Sequence, residues 1–291
     1  MQWLTSVFSP TMLAEGFMVN AFLSGTIVAI VAALVGFFVV LRGSTFVAHV
    51  LPKVGFAGAA GAVLVGVNPL LGLVVFSLGG AVSIGLLSKN GRHDAVTALT
   101  LVVALGTGAL FLVLNNSYAA GAYALLFGQV VGVSRSDVID TGLLGLLCVV
   151  ALGILYRPLL FASVTQEVAT ARGVSVRLLD IVFLLIAGVA TAVTVPVVGA
   201  LLSFSLMVAP AASAAYLTHH PLRMLGVSVA LSVLTVWIAL TLAYDTGWPI
   251  GFFVAALSTL VYAAMRFAAR HNRQIATERT HKRPSAPMRR I

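Results

Sequence analysis

The stretch QEVATARG, at residues 166–173, is a short polar segment between two long apolar runs. It lies between the sequence YRP at 156–158 and the apolar run that begins after Val176. Residues 167–172 contain the helix formers Glu, Ala and Arg, and Gly173 can end a helix because glycine readily adopts the left-handed backbone conformation. The stretch therefore predicts a short helix that lies outside the apolar runs on either side of it.

The composition of the whole chain places the rest of it in a membrane. Of its 291 residues, 60% are hydrophobic and only 9% are charged, whereas about 25% of the residues of a soluble domain are charged. So few charges cannot cover the surface of a soluble protein, and apolar runs of spanning length recur along the chain. We therefore expect an all-α polytopic membrane protein.

Nine runs qualify as candidate spans, since a crossing helix needs about 20 mainly apolar residues. They are residues 17–41, 46–67, 70–87, 95–114, 138–155, 178–195, 197–217, 222–243 and 250–267. Pro52 and Lys53 interrupt the second run, and the proline is expected to kink or unwind the helix there. The sixth and seventh runs meet at Pro196 with almost no polar linker. These runs predict a transmembrane domain at residues 1–267 with eight or nine spans.

The basic residues predict the orientation, because cytoplasmic loops carry an excess of Lys and Arg. They concentrate at positions 42, 89–93, 157–177 and 223 and in the C-terminal tail, and Arg135 alone departs from this pattern. We expect a cytoplasmic C-terminus. The N-terminus lies outside if all nine runs cross, and inside if one run is re-entrant. On the outer side, the longest loop, residues 115–136, is expected to hold a short helix at or dipping into the interface, with an ordinary loop as the alternative.

The tail at residues 268–291 differs from the rest of the chain in composition. Eight of the 17 Lys and Arg fall after Met265, alongside a single acid, Glu278, and two prolines. The tail has no apolar periodicity, so we expect it to be basic and disordered. Contact with anionic membrane lipid fits this composition better than nucleic acid does, and no nucleic-acid partner is expected.

Two ionisable residues lie in the second run, where a charge is costly unless it faces a cavity or a partner. His49 and Lys53 are four residues apart and therefore share one face of a helix. Transporters place polar groups on interrupted helices along their pathways, so both residues are candidates for a substrate pathway. The alternative is that both lie near the cytoplasmic end, where Lys53 reaches the interface and His49 is an ordinary interfacial residue.

The sequence lacks the motifs that are typical of enzyme active sites. It contains no HExxH, CxxC, P-loop or nucleophile-elbow motif. Its single cysteine, Cys148, lies in an apolar run and is expected to behave as a small hydrophobic residue. We therefore expect no catalytic residues and no enzyme activity in this chain.

The polar stretch also carries a family resemblance. Glu167, Ala169 and Gly173 form the pattern E-x-A-x-x-x-G, which resembles the cytoplasmic loop of ABC importer permeases, where a short coupling helix docks into the ATPase subunit. Across residues 17–267 the chain resembles the membrane subunit of the ABC importers for zinc, manganese and related divalent metals. The matching segments are VLR and FV between residues 40 and 47, GVSRSD at 132–137, YRPL at 156–159, RGVSVRLL at 172–179, VVG at 197–199 and PAA at 210–212.

This resemblance implies a multi-pass subunit in the plasma membrane, assembled as a homodimer around a central pathway. It implies two cytoplasmic ATPase subunits and an extracytoplasmic metal-binding protein as partners. The chain itself would bind no cofactor, and the transported ion would be zinc, manganese or iron. Within the coupling segment at 157–177, the residues that the resemblance assigns to ATPase contact are Gln166, Glu167, Ala169, Arg172 and Gly173.

The chain departs from the family at the positions expected to contact the metal. The family's second span has an Asp and a His four residues apart, and here these positions hold His49 and Lys53. His49 can ligate zinc or manganese, whereas a protonated Lys53 disfavours a nearby dication by a few kcal/mol even at an effective dielectric of about 20. Either Lys53 is neutral, or the ion passes elsewhere, or the substrate differs.

Three functions follow from these observations. The leading one is a permease for divalent metal ions, with His49 as the candidate metal ligand and Lys53 beside it on the pathway. The second is an ABC permease for a different substrate, such as a chelated metal, which a lysine would suit better. The third is a non-ABC secondary transporter or a membrane scaffold. A secondary transporter coupled to protons normally needs carboxylates within its spans, and none of the eight acids lies in mid-span.

Overall fold

The structure is a computed structural model that describes residues 16–88, 93–115, 124–128 and 133–281, with side chains through residue 270. Within these ranges it contains a helical turn at 124–127 and no strands. Its ten longer elements are α1 Gly16–Leu41, α2 Thr45–Leu64, α3 Pro69–Leu87, α4 His93–Leu114, α5 Arg135–Val164, α6 Gln166–Ala171, α7 Val176–Val198, α8 Ser203–Leu217, α9 Pro221–Thr246 and α10 Ile250–His281.

Eight of these helices are long and apolar enough to cross a membrane, namely all except α6 and α8. This confirms the expected all-α polytopic bundle. The seventh candidate run, residues 197–217, is represented by α8, which has 15 residues. At 1.5 Å per residue such a helix measures roughly 22 Å, which is less than the hydrocarbon thickness of about 30 Å.

The bundle is built around α1, α2 and α7, whose spans are its most buried ones. α1 packs against α5, α8 and α9, while α2 packs against α3 and α4. α2 and α3 cross at Gly58 and Gly72, where a Cβ on either residue would collide with the carbonyl oxygen of the other. Small residues permit such close approach of helices in lipid, where packing drives helix association.

The break between the sixth and seventh runs is not at Pro196, where the sequence placed it. Pro196 lies inside the last turn of α7, and the chain turns at Gly199, whose φ is +93°. The turn is held by the outer segment, since the carbonyls of Leu125 and Leu126 accept hydrogen bonds from Ala200 and Leu201 at 2.8 and 3.2 Å. The break therefore depends on a positive φ and a distant partner rather than on the proline.

These hydrogen bonds also bear on the predicted outer helix. Residues 124–127 form a helical turn, and its carbonyls at Leu125 and Leu126 accept the hydrogen bonds that hold the turn after α7. The rest of that prediction, at residues 116–123 and 129–132, lies outside the described residues.

Three further boundaries differ from those expected. α2 is a continuous helix with Pro52 inside it, so the helix is not unwound there. α5 continues through Pro158 to Val164, which makes residues 157–164 the end of a long helix rather than a loop. α10 continues through residues 268–281, where disorder was expected, and residues 282–291 lie outside the described residues. In each case the helix continues past the residues at which the sequence pattern predicted an interruption.

Candidate coupling helix and candidate transport pathway

The polar stretch forms the short helix α6, as its sequence predicts. After α6, Gly173 has a φ of +78° and its N–H bonds to the carbonyl of Thr170 at 3.0 Å. The N–H of Val174 bonds to the carbonyl of Ala169 at 3.1 Å. These two bonds make a Schellman cap, a common helix ending that requires a left-handed residue such as glycine at this position.

α6 presents most of its side chains to the surroundings. Ala169 is fully buried and fixes the helix to the bundle. Gln166, Glu167 and Arg172 are exposed, and the Arg172 guanidinium lies over the Phe161 ring at 5.7 Å. A short, capped and exposed helix between two long helices can transmit a push from outside to both of its neighbours.

The two helices that flank α6 are tied together by an arginine from α1's end. Arg42 forms an ion pair with Asp180 near the start of α7, and its Nη1 donates to Ser163 Oγ near the end of α5 at 3.4 Å. Its guanidinium also lies over the Phe183 ring at 5.2 Å. We call Arg42, Ser163 and Asp180 the Arg42 clamp.

Sequence reasoning did not find this clamp. Arg42 served only as an orientation marker, and Asp180 seemed unremarkable at a span start, because 138 residues separate the two in the chain. One signal was present: the chain has only eight acids, and Asp180 falls at the end of the bundle where the arginines concentrate. Beside the clamp a cavity of about 300 Å³ extends to Asp94 and Gln166.

The structure brings His49 and Lys53 together on one face of α2. Lys53 is buried, with 8% of its surface exposed, and its Nζ donates to the His49 carbonyl at 2.9 Å. The same Nζ lies 3.4 Å from His49 Nδ1. The imidazole stacks on Phe46 and meets Phe204 edge-on, with ring centroids 6.5 and 5.1 Å away. The lysine thus bonds back to its own helix, toward the start of α2.

This arrangement leaves His49 and Lys53 with few groups that can ligate a metal ion. Among the described residues there is no group of three or more His, Cys, Asp or Glu side chains that could hold an ion. An ammonium group has no lone pair to give, so His49 is the one candidate ligand of the pair. A single imidazole falls short of the four ligands that zinc usually takes.

A family model described as the ABC 3 transport family matches residues 14–269 of the chain. The chain belongs to the ABC 3 transport family. This confirms the family expected from the motifs and makes the chain a multi-pass membrane subunit of a transport family.

Two proteins with similar sequences cover most of the chain. The manganese transport system membrane protein MntC of Listeria innocua is 25% identical over 260 residues, which are 88% of this chain and 92% of that protein. The high-affinity zinc uptake system membrane protein ZnuB of Haemophilus influenzae is 26% identical over 230 residues, covering 78% of this chain and 88% of the relative.

A solved structure shows the same fold. A chain of PsaBC from Streptococcus pneumoniae in complex with Fab superposes with a TM-score of 0.79 at 21% identity, covering 87% of this chain and 92% of that one. A metal-chelate type ABC transporter in an inward-facing conformation gives a TM-score of 0.69 at 16% identity. The expected fold of an ABC importer permease is thereby confirmed.

Proposed function

We propose that this chain is the permease subunit of an ABC importer that moves divalent metal ions across the plasma membrane, with manganese as the first candidate. The observation that carries the proposal is α6, an exposed and capped helix in a chain of the ABC 3 family. The choice of metal rests on the relatives, whose names specify manganese or zinc.

In this proposal α6 is the surface on which a separate ATPase subunit acts. Gln166, Glu167 and Arg172 make the contact, Ala169 joins α6 to the bundle, and Gly173 ends the helix. The C-terminus then lies on the same, cytoplasmic side, in line with the distribution of basic residues. ATP hydrolysis moves α6, and α5 and α7 follow it because both adjoin it in the chain.

Two copies of the chain would enclose the pathway, with an extracytoplasmic metal-binding protein delivering the ion. In this arrangement a second copy would supply a second imidazole beside that of His49. The side chain of His49 is half-buried, so part of its ring is free to meet a partner. The large exposed apolar area of α4 and α5 would meet lipid.

The energy source gives the direct test of this proposal. The chain is reconstituted with its ATPase subunits in vesicles, and uptake of Mn²⁺ is followed with and without ATP. We expect uptake only with ATP. Uptake in ATP-depleted vesicles, driven by an imposed ion gradient, would instead identify a secondary transporter.

The His49 and Lys53 positions allow a test of the substrate. A double variant, His49→Asp with Lys53→His, replaces a cation by a second metal ligand and should lower the KM for Mn²⁺ uptake by about tenfold or more. The reason is that a charge repulsion of a few kcal/mol disappears and that carboxylate and imidazole both ligate manganese.

The matched control is Lys53→Met, which removes the charge and adds no oxygen or nitrogen ligand. If removal of the charge is sufficient, Lys53→Met should match the double variant. If ligation matters, only the double variant improves. An unchanged KM in both variants contradicts a pathway past these residues and favours a chelated or otherwise different substrate.

A further inference from the structure

A second cavity, of about 290 Å³, lies at the opposite end of the bundle from α6. The start of α3, the start of α5, the end of α7 and residues 124–125 surround it, and Ser24 of α1 contributes from the side. All of these helix ends belong to the outer side in the orientation that the basic residues predict. Its polar lining residues are Ser24, Asn68, Asp137, Asp140 and Thr141.

The cavity carries negative charge that no lining cation offsets. Asp137 and Asp140 are three residues apart at the start of α5 and therefore lie on one face of that helix. The described lining includes no Lys, Arg or His. Arg135, the nearest basic residue in the sequence, is exposed and does not line the cavity. Two carboxylates thus border the cavity, Asp140 half-buried and Asp137 exposed, with the positive end of the α5 dipole as partial compensation.

The two carboxylates differ in the hydrogen bonds that they make within the protein. Asp137 is held in a capping box, in which one of its oxygens accepts from the N–H and the hydroxyl of Ser134 at 2.9 and 2.7 Å. Asp140 makes no hydrogen bond or ion pair with any residue that the structure describes. Its oxygens are therefore available to a ligand.

An independent feature of the same cavity also points to a ligand. Ser24 lines the cavity and is only 1% exposed, yet its hydroxyl oxygen has no hydrogen-bond partner within the described part of the protein. A buried hydroxyl without a partner is unfavourable, and Thr141 beside it is also buried. A hydrated ion in the cavity would give Ser24 the partner that the protein does not.

We propose that this outer cavity is a binding site for a hard divalent cation that keeps part of its water shell. The donors are oxygens alone, from two carboxylates and two hydroxyls, and such donors suit Mn²⁺, Mg²⁺ and Ca²⁺ better than softer ions. The cavity is many times larger than the space that a single water needs, so an ion with several waters fits in it. Only the direction of arrival, from outside, rests on the proposed import function.

The position of the cavity gives the site a place in transport. Leu73 and Val197 provide apolar lining, and Val197 lies close to the α7 end that residues 124–128 hold. A cation bound here is retained at the outer face until the bundle rearranges. Because oxygen donors discriminate poorly among hard dications, the site should attract Ca²⁺ as well as Mn²⁺, and selectivity must arise elsewhere.

Binding of Mn²⁺ to the purified full-length chain tests the proposal without any need for transport. Free Mn²⁺ is followed by its electron paramagnetic resonance signal, which bound Mn²⁺ loses. Asp140→Asn should weaken binding by about tenfold or more, since it removes the one fully available carboxylate. Ser24→Ala should weaken it less. Ca²⁺ should compete for the same site.

Two controls make the result specific. Asp245→Asn removes an exposed carboxylate at the outer end of α9, away from the cavity, and should leave binding unchanged. Asp94→Asn removes an exposed carboxylate at the start of α4, at the opposite end of the bundle, and should also leave binding unchanged. Equal binding by wild type and Asp140→Asn overturns the site, as does loss of binding in Asp245→Asn to the same extent.

The outcomes for the site and for the proposed function are separable. Normal Mn²⁺ uptake together with unchanged Mn²⁺ binding in Asp140→Asn overturns the outer site and keeps the metal importer. Mn²⁺ binding that depends on Asp140, in a chain that transports no Mn²⁺, keeps the site and overturns the importer's substrate.

Discussion

A Glu167→Arg variant is expected to lose ATP-dependent Mn²⁺ uptake almost completely while the chain stays folded in the membrane. Glu167 is exposed in the first turn of α6, so its reversal disturbs no packing. In the proposed assembly it faces the ATPase subunit, and a misplaced like charge at an interface costs several kcal/mol. Since each 1.4 kcal/mol is tenfold in affinity, association with the ATPase should fall by about 100-fold or more.

The measurement is uptake together with co-purification of the ATPase subunit, at equal amounts of chain in the membrane. Arg223→Glu is the matched control, because it reverses an exposed charge at the start of α9 and leaves α6 untouched. It should retain wild-type uptake. Full uptake by Glu167→Arg would rule out α6 as the coupling surface.

Gly173 allows the shape of α6 to be tested apart from its charge. Proline cannot adopt the φ of +78° found at Gly173, so Gly173→Pro should disrupt the Schellman cap and abolish uptake. Asparagine enters the left-handed region more readily than most residues, so Gly173→Asn should retain much of the uptake. Equal activity of the two variants would show that the cap is not needed.

Loss of the Arg42 clamp should have the second largest effect. Arg42→Ala removes the ion pair with Asp180, the hydrogen bond to Ser163 and the contact with Phe183. We expect uptake to fall by about tenfold, because hydrogen bonds to charged groups contribute about 1.5–3 kcal/mol and α5 and α7 would no longer move together with α6. The melting temperature should fall as well.

A double-mutant cycle distinguishes the clamp from a general loss of stability. Arg42→Ala, Asp180→Ala and the double variant are compared for uptake per folded chain. If the two residues act together, the double variant should lose little more than either single variant, with an interaction energy of about 0.5–3 kcal/mol. Additive losses would contradict the clamp. They would mean that Arg42 acts independently of Asp180, at the end of α1.

For His49 and Lys53, the sequence alone predicted part of the geometry that the structure shows. The spacing of His49 and Lys53 correctly placed both on one face of α2, since a four-residue spacing fixes this on any helix. It did not show that Lys53 bonds back to the carbonyl of His49 or that Phe204 meets the imidazole. The Phe204 contact depends on the position of α8, whose start the hydropathy pattern misplaced.

The sequence by itself determined the membrane class, eight of the nine candidate spans, the helix α6 with its glycine cap, and the family. Each of these rests on local composition or on short motifs, which a chain carries in any environment. Only the tertiary structure decided the break at Gly199, the Arg42 clamp and the outer cavity with Ser24 and Asp140. All three require residues far apart in sequence to meet, and close packing between helices, which local periodicity does not encode, selects those meetings.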